Sequence, residues 1–580
     1  MMARMTARRR QSVATAMLVS LVASLAAQAE PAAPETGDAE GRAAAMRRLV
    51  DQAREKLAAV GYTVRDTIAC EERTKKQARD DLDAQQELLM PSNCYAAQFA
   101  LLRAFGVRVG RNADSLRKTT VTSLAQTLSA YYDVRRKSFV TLDTDTRQLA
   151  ESLAGSLLPL VMHELVHAHQ DERDGGIAKF VDAATTTLDR ATAARCVLEG
   201  EADVAAFLAL QGAAAAERLP ELRAANKLDG MLAGEITGMF YAVGREFGIA
   251  RYAAGGLDAV RAVWQAPPAS SEQAMHPAKY GQDAPTAATL PEFEGCNPST
   301  ATTVGEMVLF HLLRQIGVAR DEAGLAAAGW DGDVLTVYDT AEGEGVAVVW
   351  RTLWDRPEDA ADFAARIAGR KNAAVVADGR VVDFVAAPQE LRDRIVATLA
   401  QHRDQPPEVA ADVASTAAAE AELRAGADRS AVEGATWRMD DVGLAIPVPD
   451  GWELKEFNGM KLLLDVKSAK SGFARNVNVL TMPRGGATSV ADLLAANRAQ
   501  LEQMKLTVVE MAVAKRGETE VLCGDYHGRI GRNPAVHALM LIYLRGDQQV
   551  VITATGAASA WTTDEPVLRK LMNELTIAPE

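Results

Sequence analysis

Beyond its first ten residues this 580-residue chain has no basic tract, and its formal charge is −14. A surface that tracks a nucleic-acid backbone needs clustered Lys and Arg, so nucleic acid is excluded as a partner. After the N-terminal leader no apolar run approaches the ~20 residues of a spanning helix, and stable membrane insertion is not expected. Cysteines number only five, and none has zinc-ribbon spacing. There is no self-similarity at solenoid periods. What remains is 48% hydrophobic and 24% charged, ordinary for a globular chain long enough for two or more domains.

The leader combines Arg4, Arg8, Arg9 and Arg10 with the apolar run SVATAMLVSLVASLA and small residues at Ala27 and Ala29. This is the pattern of a secretory signal peptide, 1–29, and implies export to the periplasm or medium. No cysteine lies near the cut, which argues against a lipid anchor. In an oxidising compartment Cys70 with Cys94, and Cys196 with Cys296, are candidate pairs, although sequence alone does not fix connectivity. Five is an odd number, and Cys523, alone in the last region, is the candidate free thiol.

Residues 30–41 read as a polar, Pro-containing disordered lead. From about Arg42 to Val204 the pattern is mostly helical, as in NCYAAQFALLRAFGV and SLAQTLSAYYD, with RKSFVTLD as a short strand. Residues 301–402 form an α/β extension: VLTVYDT and VAVVW flank an AEGEG turn as a hairpin, and RVVDFVAA is another strand. Asp355 is the expected N-cap of the helix that follows, with Pro357 in its first turn. Residues 403–434, Ala- and charge-rich with paired prolines, read as a linker. Residues 435–580 alternate strand-like and helical segments, giving a compact α/β domain with a mainly antiparallel sheet.

The stretch VMHELVHAHQDE carries the chemistry. His163 and His167, four apart on a helix, share one face and can both reach a single Zn²⁺. Glu164, one step round, can serve as general base. A catalytic zinc keeps three protein ligands and one open position. Downstream, in ARCVLEGEADVAAF, Glu199 and Asp203 are again four apart. Glu199 is the candidate third ligand, and Asp203 the acceptor for a ligand histidine's free N–H. Glu201 points to a different face. His169, about 200° round from His167, reads as structural. Pro159 marks the start of this helix segment or a kink in it. His311, His402, His527 and His537 lack ligand spacing.

HELVHAHQDE followed by LEGEAD resembles the gluzincin branch of zinc metallopeptidases, and especially a group of secreted bacterial proteins with an H-E-L-x-H-A-x-Q-D signature. The resemblance covers roughly residues 44 to 280 and departs from the group at His169. It implies zinc on His163, His167 and Glu199, Glu164 as catalytic base, and a peptide or protein substrate. AYYDVRRKSFVTLD would be the edge strand along which an extended peptide pairs. PPASSEQAMHPAKY is similar to a segment of the same group, and offers His276 and Tyr280 as donors to a developing oxyanion.

The C-terminal region, with IPVPDGW near its start, resembles PsbP/Mog1-like domains. An envelope ligand is the expected partner there, since no catalytic constellation is present. The expected fold class is therefore α+β: a mainly helical zincin-like domain (42–300) with a small α/β extension (301–402), then a separate antiparallel α/β sandwich. Two rival functions stand beside peptide hydrolysis. One is a non-catalytic envelope binding or assembly protein, which a fourth protein ligand closing the site would favour. The other is cleavage of an amide outside proteins, such as a cell-wall cross-link.

Overall fold

The computed structural model describes residues 39–578 apart from 143–156, most of 213–235, 341–345, 403–429, 466–474, 530–534 and several shorter gaps. The leader, most of the 30–41 lead and most of the 403–434 linker lie outside the described residues. The fold is mixed α and β, and the described strands form four sheets, largely antiparallel. Among the described residues no helix is long and apolar enough to cross a membrane.

The region carrying the histidines begins with α1 (Ala39–Ala59), β1 (Ala69–Arg73) and α2 (Lys75–Leu89). Helix α2 opens on a reciprocal capping box between Thr74 and Gln77, which satisfies two otherwise orphaned donors. Helices α3 (Ser92–Ala104) and α4 (Ala113–Thr127) follow. The segment SLAQTLSAYYD, expected to be helical throughout, instead leaves the helix at Thr127 and becomes strand β2 (Ala130–Asp133). Its adjacent aromatics suit a pleated surface, and Tyr131 and Tyr132 stand opposite Val140 and Phe139 of β3 (Ser138–Leu142). The sheet order β1-β3-β2 makes β2 an edge strand.

Next come α5 (Leu157–Glu172), α6 (Gly176–Ala184), α7 (Leu188–Gln211) and α8 (Ile236–Ala262). Pro159 lies in the first turn of α5, where a missing N–H costs nothing. A hydrophobic core containing Leu57, Phe139, Val161, Leu165, Val197, Ala202 and Phe247 joins α1, α5, α7, α8 and β3. Helices α7 and α8 cross at glycines. A Cβ added at Gly200 would fall on the carbonyl oxygen of Gly244, and one at Gly244 on that of Cys196. One at Gly248 would lie 2.8 Å from the Gly200 oxygen. The two backbones touch only because these side chains are missing.

The short helix α9 (Ser271–Met275) leads to a five-stranded sheet built from β4 (Cys296–Thr302), β5 (Trp330–Thr340), β6 (Val346–Trp354), β7 (Ala373–Asp378) and β8 (Val381–Ala386), in the order β4-β5-β6-β8-β7. Strands β5 and β6 pair antiparallel, from Trp330 opposite Trp354 to Asp339 opposite Val346. That is the expected hairpin, although its AEGEG turn lies outside the described residues. Helices α10 (Glu306–Gln315), α11 (Arg320–Ala327), α12 (Pro357–Ile367) and α13 (Gln389–Gln401) accompany this sheet. The N-cap of α12 is Arg356, not Asp355, and makes no side-chain cap bond. Asp355 lies one residue too early and faces the Lys279 ammonium at 3.4 Å.

After residue 429, β9 (Ser430–Glu433), β10 (Thr436–Met439) and β11 (Leu444–Pro447) form a small sheet completed by a C-terminal strand. A larger seven-stranded antiparallel sheet runs β12-β13-β14-β18-β17-β16-β15. Its members are β12 (Trp452–Phe457), β13 (Met460–Asp465), β14 (Asn476–Pro483), β15 (Thr507–Arg516), β16 (Thr519–Gly528), β17 (Val536–Arg545) and β18 (Gln548–Ala557). One face packs on α14 (Val490–Gln503) through Leu493, Leu522 and Ile542. The other packs on α15 (Trp561–Glu574) through Leu541, Ile552 and Leu568. The final strand is β19 (Thr576–Ile577).

All five cysteines are free thiols in this structure. The candidate pairs are not formed: Cys94 is buried whereas Cys70 is exposed, and Cys196 is buried with Met307 Sδ 3.8 Å from its sulfur.

Gly244→Ala tests the helix crossing. Overpacking of this kind costs about 1–3 kcal/mol, so the variant is expected to unfold at clearly lower denaturant. Gly244 has ordinary helical backbone angles, where Ala is otherwise favoured over Gly by about 1 kcal/mol, so a loss of stability there reports the steric clash and not the backbone conformation. Unchanged or increased stability of Gly244→Ala would contradict the close packing.

Candidate metal centre

The helical period of α5 places His163 and His167 one turn apart, and α7 presents Glu199 to both. The two Nε2 atoms are 3.2 Å apart, and Glu199 Oε2 lies 3.2 Å from His163 Nε2 and 3.4 Å from His167 Nε2. Ligand atoms about 2.0–2.1 Å from a tetrahedral zinc are separated by about 3.3 Å. The three atoms thus mark one face of a tetrahedron of the right size. Among the described residues no further His, Cys, Asp or Glu joins this group.

Hydrogen bonds on the far side of each ring decide what these nitrogens offer. His163 Nδ1 is 2.8 Å from Asp203 Oδ1, and His167 Nδ1 is 2.7 Å from Gln170 Oε1. Both acceptors require Nδ1 to carry the hydrogen, which leaves a lone pair on each Nε2 of a neutral ring. The Gln170 amide is itself oriented, since its Nε2 donates to Leu198 O at 3.1 Å and to Glu201 Oε2 at 3.0 Å. Two nitrogen lone pairs and a carboxylate oxygen therefore converge, a donor set that fits zinc.

The outer partners are anchored in turn. Asp203 Oδ2 accepts from Arg245 of α8 at 2.8 Å. Glu201, buried and turned away from the metal face, accepts from both Arg173 terminal nitrogens at 2.9 and 2.8 Å, from Trp264 Nε1 at 2.7 Å and from Tyr62 at 3.0 Å. One histidine is oriented directly by a carboxylate, the other through an amide.

Electrostatics follow this wiring. Burial pushes the His163 and His167 pKa values down, but the carboxylates facing them outweigh it and both end above the usual imidazole value. Burial raises Glu199, but the two histidines pull it far below the usual carboxylate range. Asp203 is also lowered: burial opposes, and Arg245 and His163 win. Glu164 is raised, chiefly by burial, with the two histidines opposing.

Glu164 Oε2 accepts the backbone N–H of Tyr132 on the edge strand at 2.8 Å. Its carboxylate, His167, Glu199, Arg195 and Tyr241 line one cleft, together with residues of α2, α4, α6 and β2. The cleft opens to solvent, so the side of the cluster formed by His167 and Glu199 is not sealed. The carbonyl of Tyr132 accepts from Gln85 Nε2 at 3.3 Å. The edge strand's backbone is thus engaged by side chains at Tyr132, and a peptide pairing at that residue would displace them.

His276 and Tyr280 are not brought to this cleft. His276 Nε2 lies 2.9 Å from Glu306 Oε1, and the Tyr280 hydroxyl donates to the backbone carbonyl of Ala266. Their segment serves the junction with the five-stranded sheet, where Lys279 meets Glu272 at 2.6 Å and Asp283 at 2.8 Å. Tyr131 and Tyr132, whose hydroxyls donate to Asp81 and Asp171, line the cleft together with Tyr241 of α8. The Glu199 charge first, then burial, holds the Tyr241 hydroxyl protonated well above the usual range. Sequence reasoning missed Tyr241, Arg245 and the role of Gln170. Gln170 had a local signal, lying three residues beyond His167 in the quoted signature. His169 donates to or accepts nothing at the centre: its Nδ1 lies 2.8 Å from Thr63 O.

Residues 294–403 match a family model described as a domain of unknown function (DUF8575). They hold the five-stranded sheet and lie outside the metal cleft. No curated protein matches the chain. Among solved structures, cyanobacterial PsbP (CyanoP) from Synechocystis sp. PCC 6803 is 14% identical, with 25% of this chain and 95% of that one covered and a TM-score of 0.22. A protein of unknown function from Pseudomonas aeruginosa, PA94, termed a putative regulator, is 13% identical over 25% of this chain and 97% of its own, with a TM-score of 0.20.

One zinc per chain is the expected stoichiometry. Asp203→Asn and Gln170→Ala should each weaken zinc binding by roughly 10- to 100-fold, whereas His402→Ala should leave it unchanged. Because the metal-free histidines hold protons above their ordinary pKa, protons compete with metal. Zinc affinity should therefore rise with pH through and above the ordinary imidazole range. A competition titration with a chromophoric chelator at several pH values reads both effects; a pH-independent affinity would contradict the proton count.

Proposed function

We propose that the chain is an exported, zinc-dependent, gluzincin-like peptide hydrolase. The observation that carries this reading is the tetrahedral spacing of three lone-pair atoms, those of His167 and Glu199 being on residues that line an open cleft with Glu164. Zinc held by His163, His167 and Glu199 would supply Lewis acidity toward water and toward a carbonyl oxygen. Export rests on the Arg-rich leader and its small-residue cut after Ala29.

The protein's own groups divide the remaining work. The Tyr132 N–H fixes Glu164 through Oε2, leaving Oε1 to take a proton from the attacking water. Burial raises the pKa of this carboxyl, which brings a carboxylate base nearer to neutral operating pH. The same oxygen then returns the proton to the leaving amine nitrogen. Tyr241 faces the cleft as an O–H donor and would hydrogen-bond the oxygen on which negative charge develops. Asp203 and Gln170 keep each imidazole in its Nδ1–H tautomer. A purely structural zinc would be closed by a fourth protein ligand and would need no base. The described residues provide three ligands and a base. Among the described residues of the C-terminal region no comparable constellation accompanies the seven-stranded sheet, and we assign it a binding or targeting role toward an envelope ligand.

The test is cleavage of a reduced, unfolded protein by the zinc-loaded chain. Glu164→Gln should retain zinc yet lose at least about 100-fold in rate, and Tyr241→Phe should lower kcat by about 10²–10³ with smaller change in KM. Turnover undiminished in zinc-loaded Glu164→Gln would refute the mechanism.

A further inference from the structure

Arg195 lies on α7 one turn before Glu199 and lines the same cleft. Arginines elsewhere near this centre are bound to carboxylates, as Arg173 is to Glu201 and Arg245 to Asp203. Arg195 is different. Among the described residues its polar partner is Gln86 Oε1 at 3.3 Å, and its guanidinium rests over the Phe240 ring, 4.6 Å from the centroid. A guanidinium has five N–H donors in a planar fork that matches a carboxylate. Stacking on an aromatic face fixes the plane of that fork without consuming its donors.

The surroundings narrow what it would take. Arg195 is the one Lys or Arg among the residues lining this cleft, and the acids lining it are Glu164 and Glu199. An incoming anion is repelled from those two and attracted to Arg195. Much of the remaining wall is apolar: Leu82, Leu124, Leu128, Val134, Ile177 and Leu198. Four residues of helix place Arg195 about 6 Å along the axis from Glu199. An extended peptide advances about 3.3–3.6 Å per residue, so a group bound there sits one or two residues from the bond at the metal face.

We propose that Arg195 is a carboxylate-binding, specificity-determining residue of the cleft. Its ligand is a peptide with an apolar side chain and a carboxylate one or two residues beyond the bond presented to the metal face. That carboxylate is a free C-terminus or the side chain of Asp or Glu. The proposal rests on the reading of the cleft as a peptide site, but it concerns recognition and can fail separately.

The experiment uses the full zinc-loaded Glu164→Gln chain, so that binding is read without turnover. Three fluorescent hexapeptides of one apolar sequence are compared by anisotropy: C-terminal carboxylate, C-terminal amide, and the amide with one Gln replaced by Glu. One or both carboxylate peptides should bind about tenfold tighter than the neutral one, the scale of a charge-assisted hydrogen bond. Which of them does so identifies the source of the carboxylate. Adding Arg195→Gln should erase the preference with zinc content unchanged, and Arg195→Lys should restore part of it. If Arg195→Gln does not fold, the three-peptide comparison and Arg195→Lys still decide the matter. Equal binding of the three peptides, no binding at all, or a preference that survives without Arg195 would overturn the proposal. Cleavage by the unaltered chain is measured on the same peptides. An Arg195-dependent preference without cleavage would fail the peptidase reading alone, and cleavage without preference would fail this proposal alone.

Discussion

Two imidazole nitrogens and a carboxylate oxygen within 3.4 Å of one another are an unfavourable arrangement without a cation among them. Much of the surrounding structure exists to hold that arrangement. Asp203 and Gln170 keep the hydrogens on the outer side of each ring, so the inner nitrogens cannot relieve the repulsion as donors while remaining neutral. In the metal-free chain the relief is protonation, which is why the imidazoles bind protons more tightly than usual despite burial. The same carboxylates that favour a proton there favour a metal.

Holding three candidate ligands together on two helices demands that α5, α7 and α8 not shift. Helix α8 contributes no ligand, but its glycine crossing with α7 brings Arg245 onto Asp203 and Tyr241 to the cleft. Glu201 performs the second bracing. Its carboxylate collects donors from Tyr62, Gln170, Arg173 and Trp264, joining α1's end, α5 and α8's end to the middle of α7. A buried carboxylate is costly unless its lone pairs are filled, and these partners fill them. Breaking this hub would loosen the orientation of His167 through Gln170.

The clustering of the candidate ligands was legible in the sequence because it depends on local periodicity. Two pairs of residues four apart, His163 with His167 and Glu199 with Asp203, specify two facing stripes on two helices. The long hairpin β5–β6 was legible for the same reason, with its alternation and turn residues adjacent in sequence. Tyr241, Arg245 and Arg195 were not, because their roles arise where one helix crosses another, and no local spacing encodes that. The glycines at 200, 244 and 248 carried a trace of it, since a close crossing needs small residues on both helices. His276 and Tyr280 misled because a polar-rich segment looks alike whether it lines a site or bridges two packing units. Here Ser271 donates its backbone N–H to Asp189, and Lys279 is surrounded by carboxylates. Tyr131 and Tyr132 left the helical pattern because their partners, Val140 and Phe139, come from the following strand.

Zinc K-edge X-ray absorption on the loaded full chain reads directly whether zinc sits on three protein ligands with one position open. Four nitrogen or oxygen scatterers at about 2.0 Å are expected, with outer-shell features of two imidazoles and a change in the first shell when a small zinc-binding anion is added. A sulfur scatterer, a first shell indifferent to the anion, or no stoichiometric zinc to measure would contradict that coordination.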